Sequence, residues 1–290
     1  MEERICMVFD VTGTLLEPAV IIRDISSGRM AEDIELSSGR RISGFELLSA
    51  HPQYALSALD VYPEVISGYP EHNQTISTYI KKNKIRTYLL YTEGGVSEED
   101  IHTAILSDET VTIQDYREAI YALKNAHEIE WLLTLTVLVD VSAGSVPYIG
   151  VVGGKTSPKV QDLVKMLKGM GIAVYLASGE QKDSLERVGE HIGVGKDFIC
   201  SGANADGKGE IIESLKKESN FTIMIGNSLN DVIAMKKAQI GILNRQYSGF
   251  KINEKMLEVS DFVVGDIEEL IFLIPEIISR LTHSHKSRRR

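Results

Sequence analysis

Cysteine and long apolar runs are both scarce in this chain. Only Cys6 and Cys200 occur among 290 residues. Cys6 falls in a predicted core strand, so we expect no disulfide framework and a reducing compartment. The longest apolar runs, such as residues 131–139, have the length of a strand, whereas a membrane-spanning helix needs about 20 apolar residues. No secretory signal precedes the first strand, and we therefore predict a cytoplasmic protein without membrane contact.

Positive charge is also in deficit. The chain has 31 lysines and arginines against 41 aspartates and glutamates, which gives a formal net charge of −10. Such a protein repels a phosphate backbone, so nucleic acid is not an expected partner. The hydrophobic fraction of 43% and the charged fraction of 25% are those of an ordinary globular protein, with material for one large domain or two of usual size.

What the chain does have is a series of apolar segments that end in polar, turn-forming residues. The first runs from Ile5 to Phe9 and leads into Asp10-Val11-Thr12-Gly13-Thr14. This order predicts that Asp10 lies at the carboxyl end of a buried strand, where open α/β sheets hold their chemistry. A lone aspartate after a strand more often only begins a turn. Its interpretation therefore depends on the segments that follow.

Three later segments supply chemical partners for this aspartate. Residues 173–177 form an apolar strand that ends in Ser178-Gly179-Glu180, Lys208 opens an amphipathic stretch, and residues 222–226 lead into Asn227-Ser228-Leu229-Asn230-Asp231. An aspartate, a hydroxyl, a lysine and a cluster of amide and carboxylate groups are the equipment for phosphoryl transfer through a carboxylate nucleophile with Mg²⁺. Together the four ordered motifs resemble the haloacid dehalogenase-like superfamily.

Within that superfamily the motifs are most similar to those of the P-type ATPases. Thr12 stands where most phosphatases of the superfamily, with Asp-x-Asp-Gly-Thr, have a second aspartate, and the pumps have Asp-Lys-Thr-Gly-Thr. Ser178-Gly179-Glu180 resembles the pumps' Thr-Gly-Asp, and the spacing from Lys208 to Asn227 is also pump-like. Because a pump needs membrane helices, we expect a soluble relative of this branch and not a complete pump.

The resemblance implies the α/β fold class, with a Rossmannoid core of parallel strands, helices on both faces and an inserted α/β cap domain. Beyond residue 147 strands and helices alternate, as a parallel sheet requires, whereas the segment before it carries no superfamily motif. We therefore predict a catalytic core from residues 1–22 and 147–290 and a cap from 23–146. Core strands are predicted at 172–177, 197–200, 221–226, 240–243 and 261–264, and core helices at 157–169, 181–191, 207–218, 229–238 and 266–281. In the cap, helices are predicted at 75–82, 98–106 and 114–126, and strands at 85–91 and 132–139.

A glycine-rich segment, Gly150 to Thr156, invites comparison with a P-loop because it ends in lysine and threonine. The first glycine of that motif would fall on Ile149, so the spacing fails. We predict instead a strand and a turn that lead into a helix from Ser157 to Gly169.

The resemblance also implies roles for the motif residues. Asp10 is implied as the nucleophile and as a ligand of Mg²⁺, while Lys208 supplies a fixed positive charge to the transferring phosphoryl group. Asn230 and Asp231 would orient the metal's waters or Lys208. The expected catalytic residues are Asp10, Thr12, Ser178, Lys208 and Asp231, the phosphate-binding residues Thr12, Ser178, Gly179, Lys208 and Asn230, and the metal ligands Asp10, Thr12 (through its carbonyl), Asn227 and Asp231.

Two departures from the phosphatase pattern bear on turnover. Thr12 cannot titrate usefully and so lacks the general acid/base role of an aspartate, which is worth roughly 10²–10⁴-fold in rate. Hydrolysis of an aspartyl-phosphate is then slow unless another group substitutes. Asn227 offers an uncharged amide oxygen where pumps and most phosphatases have an aspartate, so weaker metal affinity is expected.

Three functions remain open from the sequence. The first is a Mg²⁺-dependent phosphohydrolase that works through phospho-Asp10 on a small phosphorylated substrate selected by the cap. The second is a P-type-ATPase-like nucleotidase with a long-lived phosphoenzyme, although the cap carries no signature of the pumps' ATP-binding domain. The third is a phosphate- or partner-binding module that has lost turnover. Thr12 and Asn227 favour it, whereas the intact Asp10, Lys208 and Asp231 argue against it. The sequence names neither the physiological substrate nor an oligomeric state.

Overall fold

The computed structural model describes residues 5–35, 41–42, 44–247 and 254–288. In these ranges two six-stranded sheets and a two-stranded ladder are present. The strands are β1 (Ile5–Phe9), β2 (Leu16–Asp24), β3 (Met30–Ala31), β4 (Ile34–Glu35), β5 (Arg41–Ile42), β6 (Tyr54–Leu59), β7 (Thr87–Thr92), β8 (Trp131–Asp140), β9 (Ser145–Thr156), β10 (Ala173–Ala177), β11 (Ile199–Cys200), β12 (Phe221–Gly226), β13 (Ile240–Asn244) and β14 (Phe262–Val264). The α-helices are α1 (Gly44–Ala50), α2 (Pro63–Gly68), α3 (Ile76–Asn83), α4 (Glu98–Ser107), α5 (Ile113–Ala126), α6 (Pro158–Gly169), α7 (Lys182–Ile192), α8 (Ala205–Glu218), α9 (Val232–Lys237), α10 (Glu254–Glu258) and α11 (Ile267–Arg288).

The first sheet is parallel, with the strand order β11-β10-β1-β12-β13-β14. β1 lies at its centre and pairs with β10 on one side and with β12 on the other. Counted along the chain, the order is that of a doubly wound sheet, in which ligands bind where the direction of winding changes. That point lies at the carboxyl ends of β1, β10 and β12. The predicted fold class is confirmed.

Helices cover both faces of this sheet, because the residues that point to each of its two faces are apolar. Met7 and Phe9 of β1 pack in a cluster with residues of α6, α7 and α11. Cys6 and Val8 point the other way and pack with residues of α8 and α9. A strand that is buried on both faces reads as a continuous apolar run, which is why the core strands could be predicted from the sequence.

Most predicted core elements agree with the structure to within a few residues, but α11 continues to Arg288 beyond its predicted end at 281. The strand predicted at 197–200 begins as a 3₁₀ turn, Lys196–Phe198, and only Ile199–Cys200 is strand. The helix predicted at 229–238 begins as a 3₁₀ turn, Leu229–Asp231, and becomes α-helical only in α9. None of the helices in the described ranges is both long and apolar enough to cross a membrane.

The second sheet is antiparallel, with the order β3-β2-β9-β8-β6-β7. Helices α3, α4 and α5 pack on one of its faces. β2 and β9 pair along their whole length, from Leu16 opposite Thr156 to Asp24 opposite Tyr148. Both strands thus belong entirely to this sheet, although the predicted boundaries at 22/23 and 146/147 cut through them. The division of the chain into domains stays a prediction.

The glycine-rich segment from Gly150 to Thr156 is extended strand throughout, and the turn predicted there was wrong. A Cβ atom at Gly150 would lie 2.4 Å from Thr136 Oγ1, and one at Gly154 would lie 2.7 Å from the carbonyl oxygen of Glu17. The glycines therefore permit close approach between strands. They do not form a phosphate-binding loop.

Candidate active site

Asp10 is the first residue beyond β1. Its backbone N–H donates to the carbonyl of Ile225 at 2.9 Å, so the chain keeps the direction of the sheet for one more residue before it turns. Gly13, with a φ of 83°, makes that turn. The side chain of Asp10 is buried, with 4% of the residue exposed, and its Oδ2 accepts a long hydrogen bond of 3.4 Å from Thr14 Oγ1. The turn therefore holds a carboxylate at the end of the central strand.

Lys208 lies behind Asp10 and is fully buried. It comes from the first turn of α8, whose N-cap Asn204 accepts a hydrogen bond from the backbone of Gly207. Lys208 Nζ donates to Asp10 Oδ1 at 2.5 Å and to Asp231 Oδ1 at 2.7 Å. A buried ammonium group is stable only with such partners. The three side chains form one charged unit.

Burial and the carboxylate of Asp231 raise the pKa of Asp10 to about 7, although Lys208 acts in the opposite direction. Burial also opposes the charged form of Lys208, but the carboxylates of Asp10 and Asp231 outweigh it and raise the pKa of the ammonium group above its usual value. Lys208 therefore stays cationic at neutral pH. An additional cation near Asp10 would favour the carboxylate form of this residue.

Asp231 organises the loop after β12. Its Oδ2 accepts hydrogen bonds from the backbone N–H groups of Asn227 at 3.0 Å and Ser228 at 3.1 Å. With Lys208 on the other oxygen, both carboxylate oxygens already have donors. Asp231 thus orients Lys208 and the loop, and its direct ligation of a metal stays a prediction.

Asn227 offers an oxygen that suits a metal ion. Its Oδ1 is buried and has no hydrogen-bond partner among the described residues. A buried acceptor without a donor is unfavourable, whereas amide and carboxylate oxygens are ligands that Mg²⁺ accepts. The described part of the chain contains no group of three or more His, Cys, Asp or Glu that could hold a metal. A Mg²⁺ site here would therefore depend on an amide and a main-chain carbonyl in addition to carboxylate.

The structure brings the predicted residues together. Asp10, Thr12, Ser178, Gly179, Asn227 and Asn230 line one cavity of about 360 Å³, and Lys208 and Asp231 lie behind Asp10. The buried Ser178 is fixed by its backbone, which donates to Cys200 and accepts from Ala203. Gly179 lies close to the second sheet, since a Cβ atom there would lie 2.7 Å from Leu90 Cδ2.

Glu180 was not among the predicted site residues. Its Oε1 accepts a hydrogen bond from Thr12 Oγ1, and its Oε2 is buried without a partner among the described residues. Burial raises the pKa of Glu180 even though the bond from Thr12 opposes this. The sequence signal that could have identified Glu180 was its position as the third residue of Ser178-Gly179-Glu180. Thr14, which contacts Asp10, was also missed, although it belongs to the first motif.

The chain is similar in sequence to known hydrolases and transporters. The sequence model of the haloacid dehalogenase-like hydrolases matches residues 6–239. A soluble P-type ATPase-like phosphatase of Methanocaldococcus jannaschii is 25% identical over 279 residues, which cover 95% of each chain. A cadmium/zinc-transporting ATPase of Arabidopsis thaliana is 26% identical over 81% of this chain, which spans only 23% of that transporter. Among solved structures, the catalytic domain of the CPx-ATPase CopB-B is 16% identical with a TM-score of 0.47, covering 93% of this chain and 88% of its own.

Proposed function

The chain belongs to the haloacid dehalogenase-like hydrolases, and from this premise we propose a Mg²⁺-dependent phosphohydrolase that acts through a phospho-aspartate at Asp10 on a small phosphorylated substrate. The observation that carries the proposal is the contact of Lys208 Nζ with Asp10 Oδ1 at 2.5 Å, at the end of a cavity. The relative from Methanocaldococcus jannaschii, which is named a phosphatase, supports the same activity.

The proposed reaction has two displacements at phosphorus. Asp10 Oδ2, which among the described residues receives only the long hydrogen bond from Thr14, attacks the phosphoryl group. The bond from Oδ2 to phosphorus forms, the ester bond breaks, and the leaving group departs as the alcohol after it takes a proton from solvent. Water then attacks the same phosphorus atom, so that inorganic phosphate leaves and the carboxylate of Asp10 is regenerated.

The charges of the site suit this chemistry. Lys208 lies beside the nucleophile and offsets the negative charge of the transferring group without having to move. Asp231 keeps the ammonium group in place through its 2.7 Å contact. We expect the hydroxyl of Ser178, which lines the cavity, to donate to phosphoryl oxygens. Thr12 carries no titratable proton, so we expect breakdown of the phospho-aspartate to be the slow step.

Mg²⁺ would be held by Asp10, the main-chain carbonyl of Thr12 and Asn227, with Asp231 as a further candidate. The unpartnered Oδ1 of Asn227 is the observation that fits this ion. When bound, Mg²⁺ supplies positive charge that reduces the repulsion between a carboxylate and a phosphate ester. Since an amide replaces a carboxylate at position 227, we expect weak affinity for the ion.

The first test is phosphate release from 4-nitrophenyl phosphate with and without Mg²⁺, for the wild type and for Asp10→Asn. The matched control is Asp162→Asn, the same substitution at an exposed position of α6. We expect Mg²⁺-dependent release that persists in Asp162→Asn and is lost in Asp10→Asn. Release that survives in Asp10→Asn would exclude Asp10 as the nucleophile.

A second measurement separates a fast phosphatase from an enzyme with a long-lived phosphoenzyme. Acid quenching during turnover traps an acyl phosphate, which hydroxylamine cleaves. Because the hydroxyl of Thr12 is hydrogen-bonded to Glu180 and cannot act as an acid or base itself, we expect the phosphoenzyme to accumulate. No release and no phosphoenzyme in the wild type would instead favour a binding module.

A further inference from the structure

One face of the second sheet borders the cavity at Asp10. Alternate residues of its strands point away from α3, α4 and α5, whereas their neighbours Ala19, Ile21, Val137 and Val151 pack toward those helices. The residues of the first set are mostly apolar, although the set also contains Thr134, Thr136 and Tyr148. Several apolar members line the cavity: Val20 and Ile22 from β2, Leu56 from β6, Leu138 from β8 and Val152 from β9. Next to the reacting carboxylate, the molecule thus offers an apolar wall.

Among the described residues, the charged side chains that line the cavity are of one sign. In the part of the chain that the structure describes, every charged side chain that lines it is acidic, namely Asp10, Glu32 and Glu180. The nearby Lys208 is already shared between two carboxylates. One phosphoryl group can be matched there, but a second or third phosphate would lose its hydration against apolar and acidic groups. The described part of the lining therefore disfavours di- and triphosphates.

The wall contains a buried hydroxyl that lacks a hydrogen-bond partner among the described residues. Thr134 lies on β8 and lines the cavity, and its Oγ1 is buried without a hydrogen-bond partner among the described residues. An unpartnered hydroxyl in such a wall is unfavourable until a ligand bonds to it. It suits a leaving group that is mostly apolar and carries a single hydrogen-bonding group.

We propose that the substrate is a phosphate monoester with an uncharged, largely apolar alkyl or aryl leaving group, and not a nucleotide or a sugar phosphate. This inference rests on the proposed function, because it names the leaving group of the same reaction. The phosphoryl group meets Asp10, Ser178 and Lys208, and the leaving group lies along the wall formed by β2, β6, β8 and β9.

The decisive measurement is kcat/KM for ethyl, butyl and hexyl phosphate with Mg²⁺, since these esters share one leaving-group chemistry and differ only in apolar length. Each methylene that enters the cavity should raise kcat/KM about fourfold, from the free energy of burying one methylene. Hexyl phosphate should also be hydrolysed faster than ATP and ribose 5-phosphate. Rates independent of chain length, or a preference for ATP, would overturn the inference.

Binding of phosphonates separates this inference from the proposed function. Hexylphosphonate and methylphosphonate have a C–P bond that the proposed reaction does not break, so calorimetry with Mg²⁺ reports binding with or without turnover. Tighter binding of hexylphosphonate supports the apolar wall even if no ester is hydrolysed, which would refute only the phosphohydrolase. Equal binding together with hydrolysis of all esters would leave the phosphohydrolase standing and refute the substrate class.

A pair of variants locates the effect in the cavity. Val20→Asn places an amide on the half-buried wall, whereas Val65→Asn makes the same change on α2 at a residue that is 47% exposed and does not line the cavity. We expect Val20→Asn to lower the ratio of kcat/KM for hexyl over ethyl phosphate about fivefold through lost apolar contact, and Val65→Asn to leave it unchanged. An unchanged ratio in Val20→Asn would contradict the assignment of this wall.

Discussion

Thr12 and Glu180 share a hydrogen bond at the place where most phosphatases of the superfamily have their acid/base aspartate. Glu180 is 6% exposed, and its second oxygen has no partner among the described residues. A second carboxylate at position 12 would lie against the first, and two adjacent carboxylates cannot both ionise readily. The identity of residue 12 and the protonation of Glu180 are therefore linked.

This linkage predicts the behaviour of Thr12→Asp with and without Glu180→Gln. We expect Thr12→Asp alone to destabilise the protein, because two buried carboxyl groups repel each other. Thr12→Asp/Glu180→Gln removes the repulsion and supplies an acid/base, so the phospho-aspartate should decay at least about tenfold faster than in the wild type. The measurement is the decay of hydroxylamine-sensitive acyl phosphate, with Thr12→Ser as the control that keeps the hydroxyl; equal decay in all variants would contradict the expectation.

The pKa of Asp10, about 7 against 3.8 for a free aspartate, predicts how stability depends on pH. Between about pH 4 and pH 7 the folded protein holds a proton at Asp10 that the unfolded chain has lost, so the free energy of unfolding falls as pH rises through this range. Asp10→Asn has no such proton and should lose less stability over the same range. Urea unfolding in EDTA from pH 4.5 to 8 tests this, and parallel curves for the two proteins would show that Asp10 does not titrate in this way.

The sequence predicted those site residues whose chemical role can be inferred from the residue type and its position in a motif. Asp10, Lys208 and Asp231 could be grouped because each is the polar residue of an ordered motif. Glu180 and Thr14 were missed because their role in the site depends on the hydrogen bonds that their side chains make. Those hydrogen bonds depend on the direction of each side chain, which is set only in the folded turn. The sequence also could not reveal that both oxygens of Asp231 are already occupied.

At the scale of elements, the turn after β1 and the loop after β12 pack so closely that a side chain added to one would collide with the other. Gly13 has a φ of 83°, and a Cβ atom there would lie 2.0 Å from Asn227 Nδ2. Asn227 thus keeps its place over the turn only while residue 13 has no side chain. The position of the predicted metal ligand is set by a glycine on another element.

Gly13→Ala is expected to reduce activity and to raise the Mg²⁺ concentration needed for half-maximal rate, because Asn227 must move. The control is Gly144→Ala, also at positive φ, where a Cβ atom would meet nothing within 4 Å. Both variants bear the strain of the left-handed conformation, about 1–2 kcal/mol, so the difference between them isolates the contact with Asn227. A Mg²⁺ dependence that shifts equally in both would show that the contact does not matter.

The elements that could not be predicted belong mostly to the second sheet. β2 and β9 pair although they are far apart in the chain, and no local pattern encodes a distant partner. Pro18 within β2 and the glycines within β9 also oppose a strand by local preference. In the core, by contrast, the apolar runs of β1, β10 and β12 each lead into a motif residue, so the pattern and the chemistry indicate the same boundaries.

At the scale of the whole molecule, the two sheets are joined by polar contacts as well as by the chain. Gln181, at the start of α7, donates through Nε2 to the main-chain carbonyl of Leu59 at the end of β6, and both groups are buried. Arg187 reaches Glu64 across the same side at 3.3 Å, but both side chains are 47% exposed. The first contact is shielded from water, whereas the second competes with it.

This difference predicts unequal effects of removing the two contacts. Gln181→Ala leaves the carbonyl of Leu59 buried without a donor and should lower the free energy of unfolding by about 1–3 kcal/mol. Arg187→Ala, the matched control, should lower it by at most about 1 kcal/mol, as exposed ion pairs do. Urea unfolding measures both free energies. The KM for an alkyl phosphate should rise only in Gln181→Ala, because α7 directly follows the loop that carries Ser178 and Gly179. Equal effects of the two variants would mean that water reaches the Leu59 carbonyl, and the cavity between the sheets would then be more open than its buried lining indicates.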